Sequence, residues 1–123
     1  MKNYVIGLDY GSDSVRAFLI DSENGQDLAT DVCHYKRWAN KEYCNAAINQ
    51  FRQHPLDHIE GLESTIKAVV AAGKVAPSQI KSICIDTTGS SPIPVTEDGT
   101  PLALTKGFEH NPNAMMVLWK DHT

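Results

Sequence analysis

"IGLDYGSDSVRAFLIDSENG" occupies residues 6–25, and its reading decides the fold. Tyr4 to Asp9 is apolar and rich in β-formers, as expected of a buried strand, and it ends on a carboxylate. Gly11-Ser12-Asp13-Ser14 reads as a polar turn, and Val15 to Asp21 as a second strand. Asn24-Gly25 supplies the positive-φ positions of a hairpin. Asp27 to Tyr35 then makes a third strand, so the chain opens as a three-stranded antiparallel meander.

Beyond the meander, Lys36 to His54 has no clean period and reads as a long irregular segment, with Trp38, Tyr43 and Phe51 spread through it. Pro55 opens a helix at the position where its missing N–H is harmless. Ile59, Leu62, Ile66, Val69 and Val70 recur at helical spacing, and Gly73 is expected to end the helix. Lys81 to Asp86 gives a fourth strand. Pro92 to Val95 and Pro101 to Leu104 flank "TEDG" as a second hairpin, and Met115 to Trp119 reads as a last strand. The order β-β-β-α-β, then further strands, predicts an α/β domain with a mixed sheet. The closing "AMMVLWKDHT" runs a strand into a polar turn, which reads as part of a longer protein.

The bulk numbers fit a soluble domain. The chain has 123 residues, 41% of them hydrophobic and 21% charged, with a net charge of −4. No basic run occurs, which disfavours nucleic-acid binding. No Lys/Arg-rich amphipathic face occurs, which disfavours a membrane surface, and no apolar run approaches the length of a membrane span. "MKNYVIGLDYGS" lacks the form of a signal peptide. Cys33, Cys44 and Cys84 are odd in number and form no CxxC pair, so they read as reduced thiols of a cytoplasmic protein.

The Asp9 turn has two readings on local chemistry. Its Gly, Ser and Asp residues either satisfy the backbone of a tight hairpin or converge their N–H groups on an anion. In the second reading Gly11, Ser12, Asp13 and Ser14 face phosphate, and Asp9 holds Mg²⁺ through water. Arg16 offers a bidentate fork to the same phosphate. No GxxxxGK[ST] and no GxGxxG is present, so a nucleotide site here is of another kind. "DTTGSS", residues 86–91, follows the fourth strand, where ligands of α/β sheets tend to sit; a plain polar turn is the other reading. His54 and His58 are four apart but lack a third ligand, and they read as surface helix histidines.

"GLDYGSDSVRA" resembles the first phosphate motif of the actin, hexokinase and Hsp70 ATPase superfamily, and within it the FGGY carbohydrate kinases. "NQFRQHP" at 49–55, "DTTGSSPIPVTEDGTPLAL" at 86–104 and "NPNAMMVLWKDHT" at 111–123 are similar to segments of its bacterial L-ribulokinase branch. The resemblance spans the whole chain. It implies a ribonuclease-H-like fold, with residues 1–123 as the N-terminal part of a sugar-binding domain and a C-terminal nucleotide-binding domain outside them. It further implies ATP, Mg²⁺ and phosphoryl transfer to the terminal hydroxyl of L-ribulose, a step of L-arabinose catabolism. A homo-oligomer is compatible with it.

By the same resemblance Gly89 and Ser90 border the sugar, where glycerol kinases carry an Arg-Glu pair and xylulose kinases a Met-His pair. Small residues there leave room for a differently shaped sugar. Lys120 and Asp121, in "LWKDHT", are placed to bind sugar hydroxyls, and Trp119 reads as a packing residue. The family's general base and adenine motif lie downstream, so no catalytic base is assigned within this chain. Two alternatives stay open: a kinase of another pentulose or polyol, and a non-catalytic actin-like nucleotide-binding regulator.

Overall fold

Alternation of buried and open side chains builds the first sheet. The computed structural model describes residues 1–123, which divide into two units, residues 1–34 with 60–87 and residues 35–59 with 88–123. In the first unit, strands β1 (Tyr4–Tyr10), β2 (Ser14–Asp21) and β3 (Asp27–His34) form the antiparallel meander. Strand β6 (Ile80–Asp86) joins β1 in parallel, giving a four-stranded mixed sheet of order β3-β2-β1-β6. This is the expected β-β-β-α-β opening.

Tyr4, Ile6, Leu8 and Tyr10 of β1 are buried, as are Val15, Ala17 and Leu19 of β2. They form one face of the sheet, and helix α2 (Pro55–Gly73) covers that face with residues 60–73. Close approach is what its glycines provide. A Cβ on Gly61 would stand 2.6 Å from Val15 Cγ1, and one on Gly73 would stand 2.3 Å from Leu19 Cδ2. Gly73 is therefore needed for contact with the sheet; the left-handed residue that stops the helix is Lys74, with φ 54°. Thr65, fully buried on α2, donates its hydroxyl to the Gly61 carbonyl at 2.7 Å. Strand β6 is open on both faces, and Ile83 and Ile85 are 49% and 59% exposed.

The second unit corrects the expectation of an irregular Lys36–His54 segment. It contains a four-residue helix α1 (Lys36–Ala39), strands β4 (Cys44–Asn45) and β5 (Gln50–Gln53), and a 3-10 turn at Ala46–Ile48 between them. Strand β7 (Met116–Val117) pairs with β5, so a small antiparallel sheet of order β4-β5-β7 forms. Periodicity could not announce strands this short, since two to four residues show no period. The expected second hairpin reduces to a tight turn with a single bridge between Val95 and Pro101. The expected last strand shrinks to β7. Ala103, Ala114 and Met115 form its apolar core, with Tyr43 and Leu102 packed on them.

His54 and His58 are not surface groups. His54 is 5% exposed, and its Nδ1 accepts from the Leu56 N–H at 3.1 Å, capping the start of α2. His58 stacks on Tyr35 with ring centroids 5.0 Å apart. The signal in the sequence was position alone: His54 stands directly before the proline that opens the helix, where a capping side chain sits. No helix is long and apolar enough to cross a membrane.

Candidate functional site

Two groups of predicted site residues fall in the two units. In the first unit, Asp9 is the last polar residue on the sheet face opposite α2. The ladder registers place Arg16 beside it on β2 and Asp86 beside it on β6. Side chains in register across a sheet share a face. The row Arg16–Asp9–Asp86 is thus built by strand pairing alone, and all three residues are exposed. A shallow depression of about 450 Å³ opens here, lined by Gly7, Asp9, Phe18, Cys84 and Asp86 among others. Gly7 contributes no side chain to it.

Two adjacent carboxylates repel unless a cation lies between or beside them. Neither Asp9 nor Asp86 is held in an ion pair. No cluster of three or more His, Cys, Asp or Glu side chains is gathered to hold a metal. A cation bound at this row would therefore complete its shell with water or ligand oxygens, which is the habit of Mg²⁺. Asp86 was not singled out in the sequence as a partner of Asp9. The signal was present, because "GLD" and "CID" are two apolar strands that each end on a carboxylate.

The turn between β1 and β2 consists of Gly11, Ser12 and Asp13. Gly11 N–H donates to the Ser14 carbonyl at 2.8 Å and closes the turn. Ser14 Oγ donates to Asp13 Oδ1 at 3.3 Å. The Gly11 N–H is consumed locally, so any anion here meets the later part of the turn. The Arg16 guanidinium lies 5.9 Å from the centroid of the Phe18 ring, on the same open face as Asp9.

In the second unit the structure brings Gly89, Ser90, Lys120 and Asp121 onto two neighbouring segments. Ser90 has φ 56°, a left-handed conformation that bends residues 88–91 sharply. Ser91 Oγ accepts the Trp119 N–H at 3.2 Å, and Pro92 O accepts the Val117 N–H at 2.9 Å. Gly89 is exposed, and nothing lies within 4 Å of where its Cβ would stand. The structure thus leaves room at the residue where the resemblance places the sugar. Trp119 is 56% exposed, which corrects its reading as a packing residue.

Lys120 and Asp121 behave differently from one another. The Lys120 ammonium sits 5.2 Å from the Trp38 ring centroid and 4.6 Å from that of Phe51. Attraction between a cation and aromatic faces holds it there. Asp121 turns inward. Its Oδ2 accepts from Arg52 Nε at 2.7 Å and from the Phe51 N–H at 2.8 Å. Its Oδ1 accepts from the Thr123 hydroxyl at 2.6 Å and the Thr123 N–H at 3.0 Å. Burial opposes the charge, but Arg52 and these donors outweigh it and hold the carboxyl far below the usual range. Both oxygens are engaged inside the chain, so Asp121 shapes the segment around Lys120.

Comparison with known proteins adds the family context. No family model matches the chain. It is 50% identical to a ribulokinase of Vibrio parahaemolyticus over 123 residues, covering 99% of this chain and 22% of that protein. It is 39% identical to a ribulokinase of Halalkalibacterium halodurans over 124 residues, covering 97% of this chain and 22% of that protein. The chain thus spans about a fifth of the length of these relatives. Among solved structures, a gluconate kinase from Lactobacillus acidophilus superposes with a TM-score of 0.72 at 20% identity, covering 98% of this chain and 20% of that one. A ligand-bound xylulose kinase from the same organism gives 0.71 at 20% identity, covering 97% and 20%. At that identity the superpositions speak for the fold, an α/β fold shared with sugar kinases. Along almost its whole length, this chain is a homologue of a stretch of the ribulokinases.

Proposed function

We propose that the protein carrying this chain is an ATP-dependent carbohydrate kinase that converts L-ribulose to L-ribulose 5-phosphate. The observation that carries this reading is the 50% identity to a ribulokinase, sustained over 123 residues. The fold alone does not choose the sugar, since gluconate and xylulose kinases share it. In this reading residues 1–123 belong to the sugar-binding domain, while the adenine site and the general base lie outside them. The protein works in the cytoplasm.

The chain's own residues divide the work. Asp9, with Asp86 beside it in register, would hold Mg²⁺ through water. An ion held there would supply the neutralisation of phosphate charge that phosphoryl transfer needs beyond positioning. Ser12, Asp13 and Ser14 present the turn after Gly11 to the phosphates, and Arg16 forks a phosphate oxygen pair. Gly89 and Ser90 border the sugar and exclude bulk from its place. Lys120 offers an ammonium fixed between two rings, and Asp121 sets the path of its backbone.

The test is made in the protein at the length of its relatives. L-ribulose, ATP and Mg²⁺ should yield ADP and a pentulose phosphate. Asp9→Ala should lower kcat about 10²- to 10³-fold, the scale seen when one preorganised electrostatic group is removed. The KM for L-ribulose should change little. A folded Asp9→Ala protein within threefold of wild-type kcat would remove Asp9 from the phosphate site. Turnover of another polyol but not of L-ribulose would overturn the substrate.

A further inference from the structure

Residues 88–91 and 117–119 are far apart in sequence, yet one side chain joins them. Ser91 Oγ accepts from the Trp119 N–H at 3.2 Å and lies 3.3 Å from Thr88 Oγ1. It also reaches back to the Gly89 carbonyl at 3.5 Å. One hydroxyl therefore touches both sides of the turn that carries Gly89 and Ser90, and the backbone of the exposed Trp119. The neighbouring bond from Val117 N–H to Pro92 O, at 2.9 Å, and that from Leu118 N–H to Phe51 O, at 3.1 Å, fix the rest of the second segment from backbone to backbone. Residues 88–91 lack such support. Their geometry includes a left-handed serine, Ser90, and no strand or helix holds them. Ser91 supplies a side-chain link between this turn and residue 119.

We propose that Ser91 is a positioning residue for the sugar: its hydroxyl latches the Gly89-Ser90 turn to the Trp119 backbone, so that the two sugar-facing segments keep one spacing. This deepens the proposed function and rests on it. Ser91 points its oxygen into the latch and makes no contact with the sugar itself. Loss of the latch lets the turn drift. Precise placement matters for a small polyol, because its hydroxyls are read by donors and acceptors at fixed distances. ATP is bound by other residues, so the effect should be confined to the sugar.

The experiment compares Ser91→Ala, Ser91→Thr and Gly89→Arg in the protein at the length of its relatives. Thermal unfolding and separate KM values for L-ribulose and ATP are measured for each. Ser91→Ala should raise the KM for L-ribulose about three- to tenfold, the range that one hydrogen bond's net worth corresponds to. The KM for ATP should stay within about twofold of wild type on the same scale. Ser91→Thr keeps the hydroxyl and should restore most of the affinity. Gly89→Arg tests the site reading itself, by filling the space the sugar needs. If Gly89→Arg impairs L-ribulose and Ser91→Ala does not, the latch is wrong and the site stands. If neither changes L-ribulose handling, both the site and the latch fall. Equal losses for ATP and sugar in Ser91→Ala, with a lowered melting temperature, would make Ser91 merely structural and overturn the proposal. A threonine variant no better than alanine would overturn it too.

Discussion

The two units of this chain solve the same problem with different materials. The first has an apolar core: Ile6, Leu8, Val15, Ala17, Leu19 and Val69 are each at most 2% exposed. Its charged row, Arg16–Asp9–Asp86, stays on the open face of the sheet. The second unit puts polar groups inside. Arg52, Gln53, His54 and Asp57 are buried there, and its apolar core is small. Buried polar groups hold only when their bonds are satisfied, and no buried side-chain nitrogen or oxygen lacks a partner. Arg52 alone binds Asp121, the Pro112 carbonyl at 2.9 Å, Asn113 Oδ1 at 3.3 Å and the Thr123 hydroxyl at 2.9 Å. Asp57 does similar work, accepting from the Arg37 guanidinium at 2.9 Å and from the Trp38 N–H at 3.2 Å. A unit with short strands lacks the apolar area to fix its loops, and directional bonds replace it. The first unit should therefore be sensitive to volume, and the second to the removal of single polar partners.

The sharpest test of that contrast is Arg52→Met. Its partner Asp121 has a side chain only 2% exposed. Removing the cation strands a buried carboxylate, a change that costs about 3–5 kcal/mol in comparable pairs. Urea unfolding should show a loss of that order, and Asp121→Asn added to Arg52→Met should recover part of it. A loss below about 1 kcal/mol, as for an ordinary exposed pair, would break the claim that polar bonds replace a core in this unit.

The same contrast explains what the sequence made legible. The meander, α2 and β6 were readable because runs of seven or more residues carry a period. At the Asn24-Gly25 turn, by contrast, only Gly25, with φ 74°, takes the positive φ expected of both, because the loop from Asp21 to Asp27 is longer than a two-residue hairpin turn. The row at Asp9 was half readable. Asp9 and Arg16 were named from one local turn, while Asp86 needed the parallel register with β1, which no local pattern encodes. The second unit was mostly opaque. Its strands are two to four residues long, and its order comes from pairs such as Arg52 and Asp121, 69 residues apart. The same distance hid the bonds that Asp121 makes within the chain, since its place in "LWKDHT" read as one for binding sugar hydroxyls. His54 and His58 were misread because burial is not visible in a spacing of four.

Volume sensitivity in the first unit can be probed at Gly61. Alanine there would normally help a helix by about 1 kcal/mol. Here its Cβ would stand 2.6 Å from Val15 Cγ1, and Val15 is fully buried and stiff at χ1. Overpacking of that kind costs about 1–3 kcal/mol. The expected net result is a destabilisation of about 0–2 kcal/mol by the same two magnitudes. A Gly61→Ala protein more stable than wild type would show slack between α2 and the sheet, and would weaken the picture of a volume-limited first unit.

The smallest expected effect concerns pH and belongs to the polar unit. Burial pushes His54 below the ordinary histidine value, with the Arg37 charge acting in the same direction and the Glu109 carbonyl, Asp57 and Glu42 opposing it. Burial lowers His58 likewise, against the pull of Asp57. The geometry agrees for His54, because its Nδ1 must be unprotonated to accept the Leu56 N–H. A histidine whose folded value lies below the unfolded value, near 6.5, binds a proton more readily in the unfolded chain. Stability is then complete above about pH 6.5 and declines as pH falls below it, until the folded group also protonates. Each such group adds at most about 1.4 kcal/mol per pH unit to the slope. His54→Asn keeps a capping acceptor but cannot titrate. Its stability should be lower than wild type at pH 8, where the bond to the Glu109 carbonyl is lost, and should fall less steeply between pH 6.5 and 5. Urea denaturation at several pH values reads both quantities. Parallel slopes for wild type and His54→Asn would remove His54 as a source of acid sensitivity and leave His58 to account for it.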